Sequence, residues 1–254
     1  MRYWLVMPAA GVGRRFGTTK PKQYAPLQGR TVIEWALAPF LADPSCAGVV
    51  VALAADDPYW GEVADRLTKL AGRMPELIFA GGGAERSQSV RKGLAALGPR
   101  AACDDWVLVH DAARPCLASN DLQHLLERLG AHRVGGLLAT PAADTLKRAS
   151  SDATPGAGVA PEIEQTVNRA GLWRALTPQM FRYEMLCDAL DRALATGRSP
   201  TDEAQALEWM GERPVLVQGS AANIKITSAD DLLLAAALLN ARESTRAARQ
   251  ELSS

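Results

Sequence analysis

Neither sign of charge prevails in this chain, whose 28 basic residues are balanced by 28 acidic ones. A protein without a net field exerts no long-range pull on nucleic acid or on an anionic membrane, so an anion it binds must be held by a local cluster. Long apolar runs are also missing; none approaches the roughly 18 residues of a membrane span. The short run at residues 2–7 breaks at Pro8 into a basic loop, which makes it a first strand rather than a signal core. Cysteine is scarce. Cys46, Cys103, Cys116 and Cys187 are scattered without a CxxC spacing, so a structural metal site is not expected. They read as reduced, mostly core thiols of a cytoplasmic protein. What remains is the ordinary make-up of a globular protein, 48% hydrophobic and 22% charged over 254 residues.

Apolar runs alternate with amphipathic stretches. Strands are expected at 3–7, 48–54, 76–80, 105–109 and 135–140, and helices at 31–42, 57–71, 86–97 and 119–130. Near-continuous apolar strands separated by helices specify a mostly parallel sheet covered on both faces. Right-handed crossovers then give a doubly wound, three-layer α/β fold, with ligands beyond the carboxyl ends of the strands. The order breaks at about 141–168, rich in Ala, Pro, Gly and Ser. That composition suits a flexible loop. Its flanks, Asp144–Lys147 and Gln165–Val167, read as short strands, so the alternative is a protruding β-arm of the kind that packs on a second subunit. From Thr227, a Thr-Ser cap and acidic first turn open a long apolar helix at Leu232–Leu239, with fraying expected after about residue 243.

The loop after the first strand, PAAGVGRRFGTTKPKQY at residues 8–24, carries Gly11 and Gly13, then Arg14, Arg15, Lys20 and Lys22. Glycines let a backbone approach a ligand and expose its N–H groups, and cations at fixed offsets neutralise phosphate. A tight strand-to-helix turn explains the two glycines equally well. The pattern is neither the dinucleotide fingerprint, since Phe16 stands where its third glycine would, nor a P-loop, since no Lys-Ser/Thr follows. In VLVHDAARP, residues 107–115, Asp111 ends a central strand and is placed to hold Mg²⁺, with helix or turn capping as the plainer alternative. His110 reads as a satisfied core residue. In AGGGAERSQSV, residues 80–90, three glycines permit close approach to a base or ribose, while Ser89 either caps a helix or meets the base edge. Lys225 lies in Asn223–Thr227, which reads as a strand with a solvent-facing lysine. Thr201-Asp202-Glu203 reads as a helix cap.

Taken in order, PAAGVGRRFG, PKQY, GGGAERSQSV, VLVHDAARPCL, DTLKR, LWRALTPQMF, TDEAQALE and NIKIT make the chain resemble the 2-C-methyl-D-erythritol 4-phosphate cytidylyltransferases over nearly its whole length. The resemblance implies one Rossmann-like nucleotidyltransferase domain over residues 1–254, using CTP, methylerythritol phosphate and Mg²⁺. It also implies a homodimer joined through the β-arm. By matching position, Arg15 and Lys22 would grip the triphosphate, and Arg169 and Lys225 the attacking phosphate. Ala9, Ala10, Gly11, Gly13, Gly83, Ala84 and Ser89 would line the CTP pocket. Asp111, Arg114, Thr145 and Thr201 would meet the second substrate, Thr145 from the neighbouring subunit, and Asp111 would also meet the metal. Ala84 departs from the acidic residue that relatives often carry. A ribitol- or other polyol-phosphate cytidylyltransferase is the near alternative; Ala10-Gly11 in place of a double glycine, with TVNRAGLWRALTPQ, leans away from it. An inactive nucleotide-binding module is disfavoured because Arg15 and Lys22 are both present. A dinucleotide oxidoreductase is disfavoured by the missing glycine. At this length no fused cyclodiphosphate synthase is expected.

Overall fold

Alternate residues of the first strand point to opposite faces, and every one of Tyr3 to Met7 is buried. That requirement for cover on both sides organises the molecule. The computed structural model describes residues 1–11, 20–70, 75–150 and 160–251. In chain order these form β1 (Tyr3–Pro8), β2 (Pro26–Leu27), β3 (Arg30–Thr31), α1 (Val32–Leu41), β4 (Cys46–Leu53), α2 (Trp60–Leu70) and β5 (Glu76–Gly81). There follow α3 (Arg86–Leu97), β6 (Trp106–Val109), α4 (Ser119–Leu129), β7 (Gly135–Pro141), β8 (Leu146–Ala149) and β9 (Ile163–Val167). The chain ends with β10 (Trp173–Arg182), α5 (Tyr183–Ala195), α6 (Glu203–Trp209), β11 (Val215–Gln218) and α7 (Ala229–Glu251).

Seven strands make the central sheet, in the order β11-β7-β10-β6-β1-β4-β5. β10 is antiparallel to both its neighbours, β6 and β7, and the other pairings are parallel. Tyr3, Leu5 and Met7 pack under α1, α2 and α4 on one face. Trp4 and Val6 pack under α3, α5 and α6 on the other. The result is the three-layer α/β architecture expected from the alternation of strands and helices. α7 lies apart, its Ala235 and Leu239 packing on Val32, Cys116 and Ile226. β1 stands between β4 and β6, the point where consecutive strands begin to lie on opposite sides, and a crevice opens there at the carboxyl ends.

The expected elements are found within a few residues, except for the strand at Asn223–Thr227, while β2, β3, β10, α5 and β11 have no counterpart among them. β10 carries Thr177–Pro178 (a cis peptide) in its middle, and a proline there obscures a strand pattern. The arm is a two-stranded antiparallel hairpin, β8 with β9, and its strand residues are exposed except for Val167. α7 stays helical to Glu251 instead of fraying near 243, consistent with the Ala, Arg, Glu and Gln content of its last turns. Cys46 and Cys116 are buried and Cys187 is partly so, whereas Cys103 is exposed. Among the described residues, no helix is long and apolar enough to cross a membrane.

Gly135 opens β7 with φ of 115°, and a Cβ there would overlap the carbonyl oxygen of Met180 on β10. Gly135→Ala should therefore lower unfolding free energy by about 2 kcal/mol or more through strain and overlap together. Urea unfolding measures this, and an unchanged midpoint would contradict the close β7–β10 approach.

Candidate active site

The carboxyl ends of β1, β5 and β6 open into a cleft of about 560 Å³. Residues 8–11 after β1, residues 83–86 ahead of α3, residues 111–113 after β6, and Lys225 all line it. On the β1 side Gln23 is buried. Its Nε2 donates to the carbonyls of Ala9 at 2.7 Å and Gly11 at 3.2 Å, which fixes the start of the loop. On the β5 side the Gly82 N–H donates to Leu53 O at 2.6 Å, and a Cβ at Gly82 would overlap that of Ala10. Only glycine lets the two loops approach so closely.

Ser89, buried in the first turns of α3, accepts from the Gly83 N–H at 3.0 Å and donates to Glu85 O at 3.2 Å. Its hydroxyl therefore braces the glycine loop while lining the cleft. The Ala84 N–H is engaged by Gln88 Oε1 at 3.0 Å, so the backbone there is already satisfied locally.

Asp111 is the electrostatic centre. Its Oδ1 accepts from Arg86 Nε at 2.9 Å and its Oδ2 from Lys225 Nζ at 2.8 Å, while Arg114 Nε lies 3.6 Å from Oδ2. Burial alone would raise its pKa; Arg86, Lys225 and Arg114 more than reverse that, and hold the carboxyl well below the usual range. Burial works on Arg86 too, against its charge, but Glu203 and Asp111 push its pKa up. Behind Asp111, His110 is wholly buried. A carbonyl only accepts, so Nε2 carries the proton given to Arg114 O at 3.1 Å. Nδ1 then accepts from the Thr177 hydroxyl at 2.9 Å, and that hydroxyl oxygen accepts the Asp111 N–H at 3.2 Å. The ring is a satisfied core residue, as expected, and it fixes the backbone on either side of Asp111. Burial lowers its pKa to about 4.

Asn223–Thr227 is not the strand that its sequence suggests. Its backbone is taken up singly: the Ile226 N–H donates to Ala113 O at 2.8 Å, Arg114 Nη1 to Asn223 O at 2.7 Å, and Lys22 Nζ to Ile226 O at 2.8 Å. No ladder forms. Lys225 is exposed, as the sequence suggests, but its Nζ reaches Asp111, a partner that strand alternation did not suggest.

Of the residues singled out from the sequence, Ala9, Ala10, Gly11, Lys22, Gly83, Ala84, Ser89, Asp111 and Lys225 share this cleft. Arg114 sits beside Asp111. Gly13 and Arg15 lie outside the described residues. Thr145 and Arg169 are exposed on and beside the arm and do not line the cleft; Arg169 donates to Ala143 O. Thr201 is exposed ahead of α6, its N–H bonded to Gln205 Oε1 at 2.9 Å. Sequence reasoning passed over Gln23, Arg86 and Glu203 as site residues. Arg86 had a signal: a cation in the first turn of a helix opposes the macrodipole, so it needs an acidic partner elsewhere. Among the described residues, no group of three or more acidic, His or Cys side chains is placed to hold a metal.

The family model described as 2-C-methyl-D-erythritol 4-phosphate cytidylyltransferase matches residues 3–241. A protein of that name from Halorhodospira halophila is 53% identical over 243 residues, covering 95% of each chain. Among solved structures, a 4-diphosphocytidyl-2C-methyl-D-erythritol synthase superposes with a TM-score of 0.77 at 36% identity, covering 94% of this chain and 99% of its own. The 2-C-methyl-D-erythritol 4-phosphate cytidylyltransferase of Francisella tularensis gives 0.75 at 31%, covering 94% and 100%.

His110 makes stability depend on pH in a defined direction. Its folded pKa of about 4 lies below the unfolded value, so the unfolded chain takes up the proton first. The stabilisation is complete above about 6.5 and is lost as pH falls toward 4. Urea unfolding of the metal-free protein should show a loss of about 2 kcal/mol between pH 7 and 5. His110→Gln should abolish that slope, and an equal slope in the variant would refute the assignment.

Proposed function

The chain belongs to the 2-C-methyl-D-erythritol 4-phosphate cytidylyltransferase family, and from that premise we propose that the cleft beside β1 is where its two substrates meet. The reaction joins the cytidylyl group of CTP to 2-C-methyl-D-erythritol 4-phosphate. It gives 4-diphosphocytidyl-2-C-methyl-D-erythritol and pyrophosphate, a step of non-mevalonate isoprenoid synthesis. The observation that carries the site assignment is that Lys22 and Lys225, from opposite ends of the chain, line one cleft with Asp111.

In this reading an oxygen of the polyol phosphate attacks the α-phosphorus, and the bond from that phosphorus to the bridging oxygen of pyrophosphate breaks. The attacking phosphate is already ionised at neutral pH. No proton has to be removed, which suits Asp111, whose depressed pKa makes it a poor base. The demand is for positioning and for neutralising charge that grows on the departing pyrophosphate. Lys22, with Arg15, takes the triphosphate. Lys225 and Arg114, held by Asp111, take the attacking phosphate. To do so Lys22 and Lys225 exchange Ile226 O and Asp111 Oδ2 for substrate oxygens. Ala9, Ala10, Gly11, Gly83 and Ser89 form a close backbone pocket sized for a pyrimidine, with Ala84 at its edge, and Gly13, by matching position, is assigned to the same nucleotide.

A magnesium ion that arrives on the nucleotide would find one protein oxygen here, Asp111 Oδ2, once Lys225 has exchanged it for substrate, and triphosphate and water would supply the rest. When bound, such an ion supplies further charge neutralisation at the phosphates. Thr145 and Arg169 are exposed, and Leu146, Ile163 and Trp173 nearby are exposed apolar residues. We read this as the contact surface of a homodimer in which the arm brings Thr145 and Arg169 to a partner's cleft. Thr201 would complete the polyol side. One continuous sheet supports a single domain over residues 1–254 with the arm inserted at about 141–168. Four free cysteines support a cytoplasmic protein.

Pyrophosphate release with methylerythritol phosphate should be supported by CTP well above UTP, ATP or GTP; faster turnover of ribitol phosphate would favour the alternative polyol enzyme. Lys22→Ala should cut kcat by about 100- to 1000-fold, as removal of a transition-state donor does, with the fold retained on thermal melting. Arg169→Ala should raise the KM for the polyol phosphate and leave that for CTP unchanged, and equal effects on both would contradict its role.

A further inference from the structure

We propose that Arg86 and Glu203 form a positioning pair that aims the Asp111 carboxylate, an inference resting on the assignment of this cleft to the substrates. Arg86 spends its planar fork on two acids at once. Its Nη1 and Nη2 donate to Glu203 Oε1 at 2.5 Å and Oε2 at 3.0 Å, and its Nε donates to Asp111 Oδ1 at 2.9 Å. Glu203 is 1% exposed, and among the described residues its carboxylate bonds to nothing but Arg86. It is not needed as the cap of α6, because Asp202 already accepts the Gln205 N–H at 2.9 Å.

Burying such a pair is a poor route to stability, since apolar residues of similar volume usually do as well or better. What an apolar pair cannot do is orient a carboxylate. The two-point bond to Glu203 removes the guanidinium's freedom to rotate, and the remaining donor then fixes Oδ1 of Asp111. Oδ2 is left to face Lys225 at 2.8 Å and Arg114 at 3.6 Å, the two cations assigned to the attacking phosphate. A guanidinium held from α6 through α3 thus sets the angle of a carboxylate on the loop after β6. A lysine at 86 would keep the charge and lose the fork.

Glu203→Gln tests this, because it keeps the shape but turns an N–H₂ toward the guanidinium donors. Turnover by the unaltered chain is established first, so that failure of the pair is not confused with failure of the site assignment. The variant should lower kcat/KM for methylerythritol phosphate by about 100-fold, the scale of a small misplacement at a reacting group. The KM for CTP should stay within about twofold. Arg86→Lys should show the same split. In an Asp111→Asn background Glu203→Gln should add less than about threefold, because the group it aims is gone. Glu203→Asp, which keeps the charge and withdraws it by one methylene, takes its place in the cycle if Glu203→Gln does not fold. Losses that multiply in the double variant, an equal rise in the KM for CTP, or undiminished turnover would each overturn the proposal.

Discussion

One buried carboxylate, Asp111, gathers the cations of this molecule. Arg86, Lys225 and Arg114 come from a helix start, a late irregular segment and the same loop, and each would repel the others without it. In a low-dielectric setting that repulsion is costly, and a negative centre 2.8–3.6 Å from all three converts it into order. Everything around Asp111 serves its placement. The strand beneath it is buried throughout, and the neutral imidazole of His110 ties the backbone through Thr177 and Arg114.

The sheet explains why this point lies where it does. β1 and β6 are neighbours and end together, and β4 and β5 run off to the far side of β1. The loops after β1, β5 and β6 therefore spread around one crevice. The reversed strand β10 closes the other side of β6 and brings Thr177 against the Asp111 backbone. A parallel strand in that place would have begun where β10 ends, and its middle could not have presented the same hydroxyl in the same direction.

Much of this was legible in the chain. Alternation of buried strands and helical stripes announced the three layers, because β1, β4 and β6 are apolar on both faces. The glycine loops and Lys22 were visible because a close backbone approach leaves glycine no substitute, as at Gly82. What stayed hidden depends on partners remote in sequence. Lys225 is solvent-facing as expected, but its bond to Asp111 was hidden because alternation assumes a ladder, and Asn223–Thr227 has none. Glu203 looked like a cap because its neighbour Asp202 is one. β10 was missed because a proline stands in its middle. The pairing of Arg86 with Glu203 spans 117 positions, and no local pattern carries it.

The segment Asn223–Thr227 has one further consequence. It carries Lys225 and, through the carbonyl of Ile226, holds Lys22. Immediately after it, Asp231 Oδ2 accepts from the N–H groups of Thr227 and Ser228, each at 2.8 Å, where α7 begins. The gap between two positive charges from opposite ends of the polypeptide is thus measured off along one short piece of backbone clamped to a helix start. Side-chain flexibility, which would blur such a gap for two long lysines, is taken out of it for as long as Ile226 O and Asp111 Oδ2 hold their ends. The segment works as a ruler for two lysine ends, and α7 is the bench to which the ruler is fastened.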